Sequence, residues 1–321
     1  MRIVDADELG RLLDYPSLIE AIRAGFSGSL FAPPRHHHTI ARAGGAAVTL
    51  LLMPAWQEGG GERESYMGVK AVSVAPDNAR LARPSVYATY LLMAGATGEP
   101  LACIDGRMLT LLRTAATSAL AASALARADA GRLAMIGAGA LAPHLIAAHA
   151  AVRPIRHVTL WNRTAGTAET LAATLNRPGI AVEATEDLAA AVGGADIVSV
   201  ATLSHHPLIK GAWLKPGTHV DLVGAFAPDM READDDAITR ATVAVDTRGG
   251  MKESGDIAQP LASGILTEAA IAGDLYDIAA GRLKRTFDAE ITLFKSVGHA
   301  IEDLAGAIAA WRRLREISGL S

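Results

Sequence analysis

The sequence predicts an α/β protein in which a doubly wound parallel sheet follows a smaller α+β region. Two observations lead to this fold class. From residue 132 to about residue 246, short apolar runs alternate with helical patterns, which is typical of a parallel sheet covered by helices. Residues 47–93 instead hold three apolar runs separated by turn residues, which favours a mostly antiparallel sheet.

The first region is predicted to contain one helical segment and three strands, at residues 7–30, 47–53, 67–74 and 86–93. Glycine, proline and asparagine residues mark the turns between these strands, most clearly at Gly59-Gly60-Gly61. After a turn at Asp105-Gly106, an alanine-rich helix is predicted over residues 108–127.

The second region is predicted to hold five strands of the parallel sheet, at residues 132–137, 157–161, 195–201, 218–223 and 242–246. A long helical pattern over residues 295–317 follows it. If this helix packs on the N-terminal sheet, the first domain is discontinuous. We therefore predict one domain from residues 1–115 with 297–321 and a second from residues 116–296.

The composition is that of an ordinary globular protein and favours no highly charged partner. Half of the 321 residues are apolar, one fifth are charged, and the formal net charge is −4. Lysine and arginine form no runs, so we expect neither nucleic acid nor an anionic membrane as a partner. The single cysteine, Cys103, excludes an internal disulfide and fits a reducing compartment; in its apolar surroundings we interpret it as a packed thiol rather than a nucleophile.

Two segments bear on localisation. The acidic N-terminus has no apolar run and is not interpreted as a signal peptide. Residues 133–152 lack a formal charge and reach the length of a membrane span, but they contain Gly137, Gly139 and Pro143 and begin as a strand. We therefore reject a membrane span in this segment and predict a cytoplasmic protein.

A glycine-rich turn, Gly137-Ala138-Gly139, follows the first strand of the second region, and Ala142 completes a Gly-x-Gly-x-x-Ala pattern. In dinucleotide sites the first glycine permits a tight turn, the second lets the backbone approach the pyrophosphate, and the third small residue packs helix on strand. The helix N-terminus supplies partial positive charge for the phosphates. The pattern alone is weak evidence, but its strand-turn-helix context is what the motif requires. The predicted cofactor contacts here are Gly137, Gly139, Ala140 and Leu141.

The residues after the second strand of this sheet bear on the choice of dinucleotide. Sites specific for NAD usually carry an acid there, whereas this chain has Asn162-Arg163-Thr164. Arg163 can pair with a 2′-phosphate, and Asn162 and Thr164 can form hydrogen bonds with it. The alternative is that Thr164 only caps the next helix and that Arg163 is solvated. We predict NADPH in preference to NADH, with NADH as the alternative.

Two cations stand where charge is costly. Lys70 shares a strand face with Val72, and Arg113 is the only charged residue of its helix up to residue 126. A buried cation needs an anionic partner. That partner is either a buried acid of the protein or a substrate carboxylate, which a guanidinium binds in bidentate fashion. Periodicity does not separate these alternatives.

The run His36-His37-His38 raises the question of a metal site. Adjacent residues of a strand point to opposite faces, so at most two of these imidazoles converge. No cysteine or carboxylate ligand pattern accompanies them. We predict no metal here.

Nearly the whole chain resembles the ornithine cyclodeaminase/mu-crystallin family. The resemblance rests on Gly-Val-Lys-Ala-Val at 68–72, on Leu-Thr-Leu-Leu-Arg-Thr-Ala-Ala-Thr-Ser-Ala at 109–119, and on further segments at 83–89, 97–106, 137–139, 161–164, 223–232, 252–256 and 294–298. The segment around Arg113 is the most specific of these.

The resemblance implies a Rossmann domain and an N-terminal substrate and dimerisation domain that the C-terminal helix completes. It also implies a homodimer and a carboxylate-binding set matching Arg35, Lys70 and Arg113, in which Lys70 and Arg113 are the catalytic positions. The positions implied to line the cofactor are Ser85, Arg113, Thr202, Val223 and Ser296. The Trp-Asn-Arg-Thr string at 161–164 resembles the NADPH-binding members.

Phe226 marks a departure from the cyclodeaminases. Those members carry an aspartate at this position, where it handles the substrate amine, and a phenyl ring cannot accept or relay a proton. Asp229 is close in sequence, but a three-residue shift on a loop makes it a doubtful replacement. The segment instead resembles members that reduce cyclic ketimines, and an apolar Phe226 suits a ring rich in CH₂ groups.

We therefore predict NAD(P)H-dependent reduction of Δ1-pyrroline-2-carboxylate to L-proline, an activity of proline metabolism, or of Δ1-piperideine-2-carboxylate to L-pipecolate. The substrate is thus expected to be a small cyclic imino acid. Three alternatives stay open: an ornithine cyclodeaminase, an alanine- or opine-type dehydrogenase, and a non-catalytic, crystallin-like protein that binds NADPH.

Overall fold

The chain forms two units, residues 1–114 with 299–321 and residues 115–298. The structure is a computed structural model that describes residues 1–59, 65–81, 83–176 and 178–319. Of the predicted glycine turn, Gly59 has a positive φ of 65°, as such a turn requires, whereas Gly60 and Gly61 lie outside the described residues.

The strands of the first unit are β1 (Arg2–Val4), β2 (Leu30–Phe31), β3 (His36–Ile40), β4 (Val48–Gln57), β5 (Tyr66–Val74), β6 (Val86–Ala94) and β7 (Pro100–Asp105). Those of the second are β8 (Arg132–Ile136), β9 (His157–Trp161), β10 (Ala181–Thr185), β11 (Ile197–Val200), β12 (His219–Leu222), β13 (Thr242–Val245), β14 (Ile271–Gly273) and β15 (Thr292–Lys295). The helices are α1 (Ala6–Leu12), α2 (Tyr15–Ser27), α3 (Gly106–Leu125), α4 (Ala142–Val152), α5 (Ala165–Leu175), α6 (Leu188–Gly194), α7 (Asp235–Arg240), α8 (Gly255–Ser263), α9 (Leu275–Ala279) and α10 (Ala300–Ser318).

The sheet of the first unit has the order β1-β7-β6-β5-β4-β2, and β3 also pairs with β4. Its pairs are antiparallel except for β1 with β7. In β5, Tyr66, Gly68, Lys70 and Val72 are buried while the residues between them are half-buried. The buried face packs against α10, which also contacts α2, so the C-terminal helix completes this unit.

The sheet of the second unit is parallel throughout, with the order β10-β9-β8-β11-β12-β15-β13-β14. The chain runs outward from β8 to β10 on one side and then returns to continue from β11 on the other. This reversal makes the carboxyl ends of β8 and β11 the topological switch point, where doubly wound sheets bind their ligands. The predicted α/β fold class is confirmed.

Two predicted helices were wrong in extent. The segment 7–30 is two helices, because the Asp14 side chain accepts the Ser17 N–H and starts a new helix at Tyr15. The helix predicted over 295–317 begins only at Ala300. Residues 292–295 instead form β15, a fully buried strand between β12 and β13.

The apolar segment at 133–152 is a strand, the glycine turn and an 11-residue helix. Within the described residues, one helix, α3, is long and apolar enough to cross a membrane by length and composition. Two thirds of its most apolar window is buried inside the protein, as in a core helix. Cys103 lies on β7 and is half-buried.

Candidate active site

The glycine turn lies at the switch point and has the conformation that its first glycine requires. Gly137 has a φ of 106°, and a Cβ at this residue would lie 2.4 Å from the Ala201 carbonyl oxygen. Its N–H donates to the Trp161 carbonyl oxygen over 2.8 Å. A side chain at residue 137 would therefore be strained both by its backbone and by the start of the loop after β11.

The second glycine and the helix behind it leave room for an anion. A Cβ at Gly139 would meet no atom within 4 Å, and Ala140 beside it is exposed. Leu141 is the N-cap of α4 and provides no side-chain capping bond. The first N–H groups of the helix therefore have no side-chain cap, a combination that fits a dinucleotide pyrophosphate.

The three residues after β9 differ in their hydrogen bonds. Asn162 accepts the Ala138 N–H (3.2 Å) and donates to the Thr164 carbonyl oxygen (3.0 Å), so its amide braces the glycine turn. Thr164 is the N-cap of α5, but its hydroxyl makes no capping bond. Arg163 is exposed, and neither its side chain nor the Thr164 hydroxyl has a partner among the described residues.

These residues surround a groove of about 330 Å³ that lies within the second unit. It brings together six of the predicted cofactor residues with part of the loop after β11. Its lining residues are Gly137, Ala138, Gly139, Trp161, Asn162, Arg163, Thr164, Ala201, Thr202, Leu203, Ser204 and Leu208.

Three further predicted cofactor positions lie at strand ends. Val223 follows β12, and its N–H donates to the Val200 carbonyl oxygen (2.9 Å). Ser296 follows β15 and is buried. Ser85 belongs to the first unit, where it precedes β6 and is half-buried.

Lys70 and Arg113 are brought together in the first unit, and both are buried. Lys70 Nζ donates to Asp303 Oδ1 (2.8 Å) and to Thr110 Oγ1 (3.3 Å). Arg113 Nε donates to the same Asp303 oxygen (2.9 Å), and its Nη1 donates to Glu302 (2.6 Å). Each cation therefore has an acidic partner within the protein. This is the alternative in which a buried acid of the chain neutralises the cation.

The cluster shifts the proton affinities of its members. Burial and the adjacent Arg113 guanidinium lower the pKa of Lys70 to about 8, against the opposing effect of Asp303 and Glu302. Burial opposes ionisation of Asp303 as well, but Lys70 and Arg113 hold the pKa of its carboxyl below its usual value. The carboxylates leave Arg113 Nη2 without a hydrogen-bond partner among the described residues.

The strand register places Arg35 in the same row of the sheet as Lys70. His36 pairs with Leu52, and Met53 pairs with Lys70, so Arg35 immediately before β3 falls in the row of Met53 and Lys70. Its side chain is half-buried. At about 4.8 Å per strand, Arg35 and Lys70 are two strands, or roughly 10 Å, apart in this row.

Phe226 lies on the loop after β12 and is 54% exposed. The nearby Asp229 is also exposed, and it lies 3.3 Å from His205 Nδ1. His36, His37 and His38 are exposed on β3. Across the described residues, no group of three histidine, cysteine, aspartate or glutamate side chains is arranged to hold a metal ion.

Sequence reasoning missed three buried acids. Glu302 and Asp303 lie about 190 residues from Arg113 in the chain, so no local pattern links them. Glu232 lies within a segment that was recognised, but its role as an acceptor for loop N–H groups was not anticipated. The available signal was the placement of Glu302-Asp303 in the first turn of a helix whose next eight residues, 304–311, carry no charge.

Comparisons with known proteins agree over nearly the whole chain. The model of the ornithine cyclodeaminase/mu-crystallin family matches residues 5–317. A Δ1-pyrroline-2-carboxylate reductase of Paracoccus denitrificans is 43% identical over 253 residues, which cover 78% of this chain and 78% of that protein.

Two solved structures are similar in fold along their length. The Thermococcus litoralis Δ1-pyrroline-2-carboxylate reductase in complex with NADH and L-proline superposes with a TM-score of 0.91 at 33% identity, covering 99% of this chain and 98% of that one. An archaeal alanine dehydrogenase dimer with bound NAD gives a TM-score of 0.89 at 27% identity and covers 99% of this chain.

Proposed function

The chain belongs to the ornithine cyclodeaminase/mu-crystallin family, and from that premise we propose that it reduces a cyclic ketimine carboxylate with a nicotinamide dinucleotide. The substrate is Δ1-pyrroline-2-carboxylate and the product is L-proline. The observation that carries this proposal is the full-length similarity to a reductase solved with NADH and L-proline. The buried pair Lys70 and Arg113 and the open turn at Gly139 support it from within the chain.

In this proposal the first unit binds the substrate carboxylate. Arg113 Nη2 and the remaining protons of Lys70 Nζ are the donors that the internal acids leave available. Arg35, in the same strand row, is the third member of the set. Because Asp303 Oδ1 holds both Lys70 and Arg113, the two cations are oriented before the substrate arrives.

The cofactor supplies a hydride, and the reaction adds this hydride and a proton across the C=N bond. A protonated cyclic imine is already electrophilic at C2, so orientation by Lys70 and Arg113 is the main contribution asked of the chain. No acid is needed at position 226, and the phenyl ring of Phe226 is compatible with an apolar ring.

We propose that NADPH is preferred to NADH. Arg163 is exposed and has no partner within the part of the chain that the structure describes, and Asn162 replaces the acid that would repel a 2′-phosphate. The Thr164 hydroxyl makes no capping bond, so the alternative in which it serves only as a helix cap has no support from its contacts. The two solved relatives carry NADH or NAD, so this preference would be a point of difference from them.

We also propose that the first unit is the substrate and dimerisation domain and that the second is the dinucleotide-binding domain of a homodimer. Opposite the face packed by α10, the first sheet presents an apolar, half-exposed face. Pro54, Val69, Leu91 and Cys103 follow one another across its four central strands. A second copy of this sheet is the simplest apolar partner for such a face.

The single cysteine fits the reducing conditions of the cytoplasm.

The experiment is a substrate panel with NADPH and NADH. Δ1-Pyrroline-2-carboxylate and Δ1-piperideine-2-carboxylate are compared with pyruvate plus ammonia and with L-ornithine. We expect turnover of the cyclic imines and a modest ring preference, since one methylene changes discrimination by about 1–3 kcal/mol. Release of ammonia from ornithine, preferential reduction of pyruvate with ammonia, or tight NADPH binding without turnover would each support one of the alternatives instead.

A further inference from the structure

One buried carboxylate connects the two loops that follow β11 and β12. Glu232 is fully buried. Its Oε1 accepts the Thr202 N–H (2.7 Å) and the Thr202 hydroxyl (2.8 Å). Its Oε2 accepts the N–H groups of Gly224 (2.8 Å) and Ala225 (3.2 Å). All four donors belong to loops at the carboxyl edge of the parallel sheet.

Two further buried groups fix Glu232 itself. Asp256 Oδ1 accepts the N–H groups of Glu232 (2.7 Å) and Ala233 (3.1 Å), which sets the backbone from which the Glu232 side chain extends. Lys295 Nζ, at the end of β15, lies 3.1 Å from Asp256 Oδ2 and 3.8 Å from Glu232 Oε2. A single cation thus lies between the two acids.

The two loops are also in close contact with each other. A Cβ at Gly224 would lie 2.0 Å from the Thr202 carbonyl oxygen and 2.5 Å from Glu232 Oε1. Burying three ionisable side chains carries a desolvation penalty that apolar side chains of similar volume would avoid. We therefore interpret the network as holding particular backbone groups in place rather than as increasing the free energy of unfolding.

We propose that Glu232 is a positioning residue for the nicotinamide half of the dinucleotide. This inference rests on the proposed function. Thr202 lines the groove beside the glycine turn, and Gly224 follows the end of β12. These loops lie on one side of the switch point, whereas Asn162-Arg163-Thr164 lies on the other, and doubly wound sheets bind the two halves of a dinucleotide across this crevice. Glu232 holds the loops of the nicotinamide side, and the hydrogen-bond partners of its carboxylate among the described residues are Thr202, Gly224 and Ala225 rather than the residues after β9.

The test compares two ligands that differ in the nicotinamide portion. NADP⁺ and 2′-phospho-ADP-ribose are titrated by calorimetry into the wild type and into Glu232→Gln, at pH 8. This pH is above the value of about 7 to which burial raises the pKa of Glu232. We expect Glu232→Gln to weaken NADP⁺ about tenfold, as the loss of a charge-assisted contact would, and to change 2′-phospho-ADP-ribose by less than about twofold.

The matched control is Asp196→Asn. Asp196 also braces a turn through two backbone N–H groups, those of Gly131 and Arg132 (both 3.0 Å), but at the opposite edge of the same sheet. It should change the affinity for either ligand by less than about twofold. If Glu232→Gln does not fold, Thr202→Val removes only the hydroxyl bond to Glu232 and should weaken NADP⁺ selectively, by about threefold.

Equal weakening of both ligands by Glu232→Gln, or no weakening of either, would overturn the inference. If only Thr202→Val can be measured, the same two results for that variant overturn it. A wild type that binds neither ligand but binds NAD⁺ would refute the preference for NADPH, and the same comparison is then made with NAD⁺ and ADP-ribose. A wild type that binds no dinucleotide would instead refute the proposed function, so these failures are distinguishable.

Discussion

Lys70 and Arg113 donate hydrogen bonds to the same oxygen of Asp303. This common acceptor explains how two cations occupy one buried site. Its Oδ1 receives Lys70 Nζ at 2.8 Å and Arg113 Nε at 2.9 Å. Sequence periodicity indicated two buried cations but not their partners, because Asp303 is 190 residues from Arg113 in the chain. The substrate anion is thus expected to bind to cations that are already paired, as an additional ligand rather than as their only counter-ion.

Loss of the Lys70 proton should weaken the binding of a carboxylate ligand. Burial and Arg113 lower the pKa of Lys70 to about 8, so its positive charge is lost as the pH rises through that value. We expect the affinity for cyclopent-1-ene-1-carboxylate, a carbocycle of the substrate's shape that does not titrate in this range, to fall between pH 7 and pH 9. Calorimetric titration across that range measures it, and Lys70→Arg should remove the inflection.

The same shift has a defined effect on stability. The pKa of folded Lys70 is below the unfolded value of 10.5, so the unfolded chain binds more protons between pH 8 and pH 10.5. This group therefore adds stability as the pH rises through that window. Affinity and stability should change in opposite directions, and an affinity independent of pH up to pH 9 would argue against Lys70 as a carboxylate ligand.

Arg163 carries the proposed preference for NADPH. Arg163→Ala should raise the Kd for NADPH about tenfold to hundredfold, because a hydrogen bond to a charged group contributes about 1.5–3 kcal/mol. The Kd for NADH should change less than about twofold. Arg156→Ala is the control, since Arg156 is also exposed but precedes β9 rather than following it. Equal losses for both dinucleotides would indicate that Arg163 does not contact a 2′-phosphate.

At the scale of elements, substitution of the two glycines of the turn should have different effects, one on stability and the other on dinucleotide affinity. Gly137→Ala places a Cβ 2.4 Å from a carbonyl oxygen at a φ of 106°, so we expect loss of stability in the absence of cofactor. Gly139→Ala meets no protein atom within 4 Å, so the unliganded protein should keep its stability while dinucleotide affinity falls. Thermal unfolding with and without NADPH separates the two effects. A Gly139→Ala protein that binds NADPH normally would contradict the proposed pyrophosphate position.

Elements with local signals were the predictable ones. The strand predicted at 157–161 is observed at His157–Trp161, and those near 132, 197, 219 and 242 differ by at most two residues at either end. β15 was missed because it is only four residues long, with two apolar residues, and directly precedes a helical pattern. Its strand conformation depends on pairing with β12 and β13, which are distant in the chain. The break between α1 and α2 had a local signal, Asp14 before Pro16, that was overlooked.

At the scale of the molecule, the apolar face of the first sheet is the basis for the proposed homodimer. Val69→Glu introduces a charge at the centre of this face and should convert a dimer to a monomer, measured by light scattering with size-exclusion chromatography. Ile317→Glu makes the same change at a 65% exposed position of α10 and should leave the dimer intact. A wild-type protein that is monomeric at micromolar concentration would contradict the proposal.

The proposed roles of the two units could be inferred from the sequence because each unit carries its own pattern. The turn at Gly137–Gly139 and the strand alternation pointed to the dinucleotide unit, and Lys70 and Arg113 to the other. The roles of Asp303 and Glu232 could not be inferred, since Asp303 pairs with Lys70 and Glu232 accepts the Thr202 N–H only in the folded chain.

The most direct test of the central claim follows the hydride itself. The protein is incubated with Δ1-pyrroline-2-carboxylate and NADPH that carries deuterium at both hydrogen positions of C4 of the nicotinamide ring, and the product is analysed by chiral chromatography and mass spectrometry. Our account predicts L-proline with one deuterium, located at C2. Absence of proline, or proline without deuterium at C2, would contradict it.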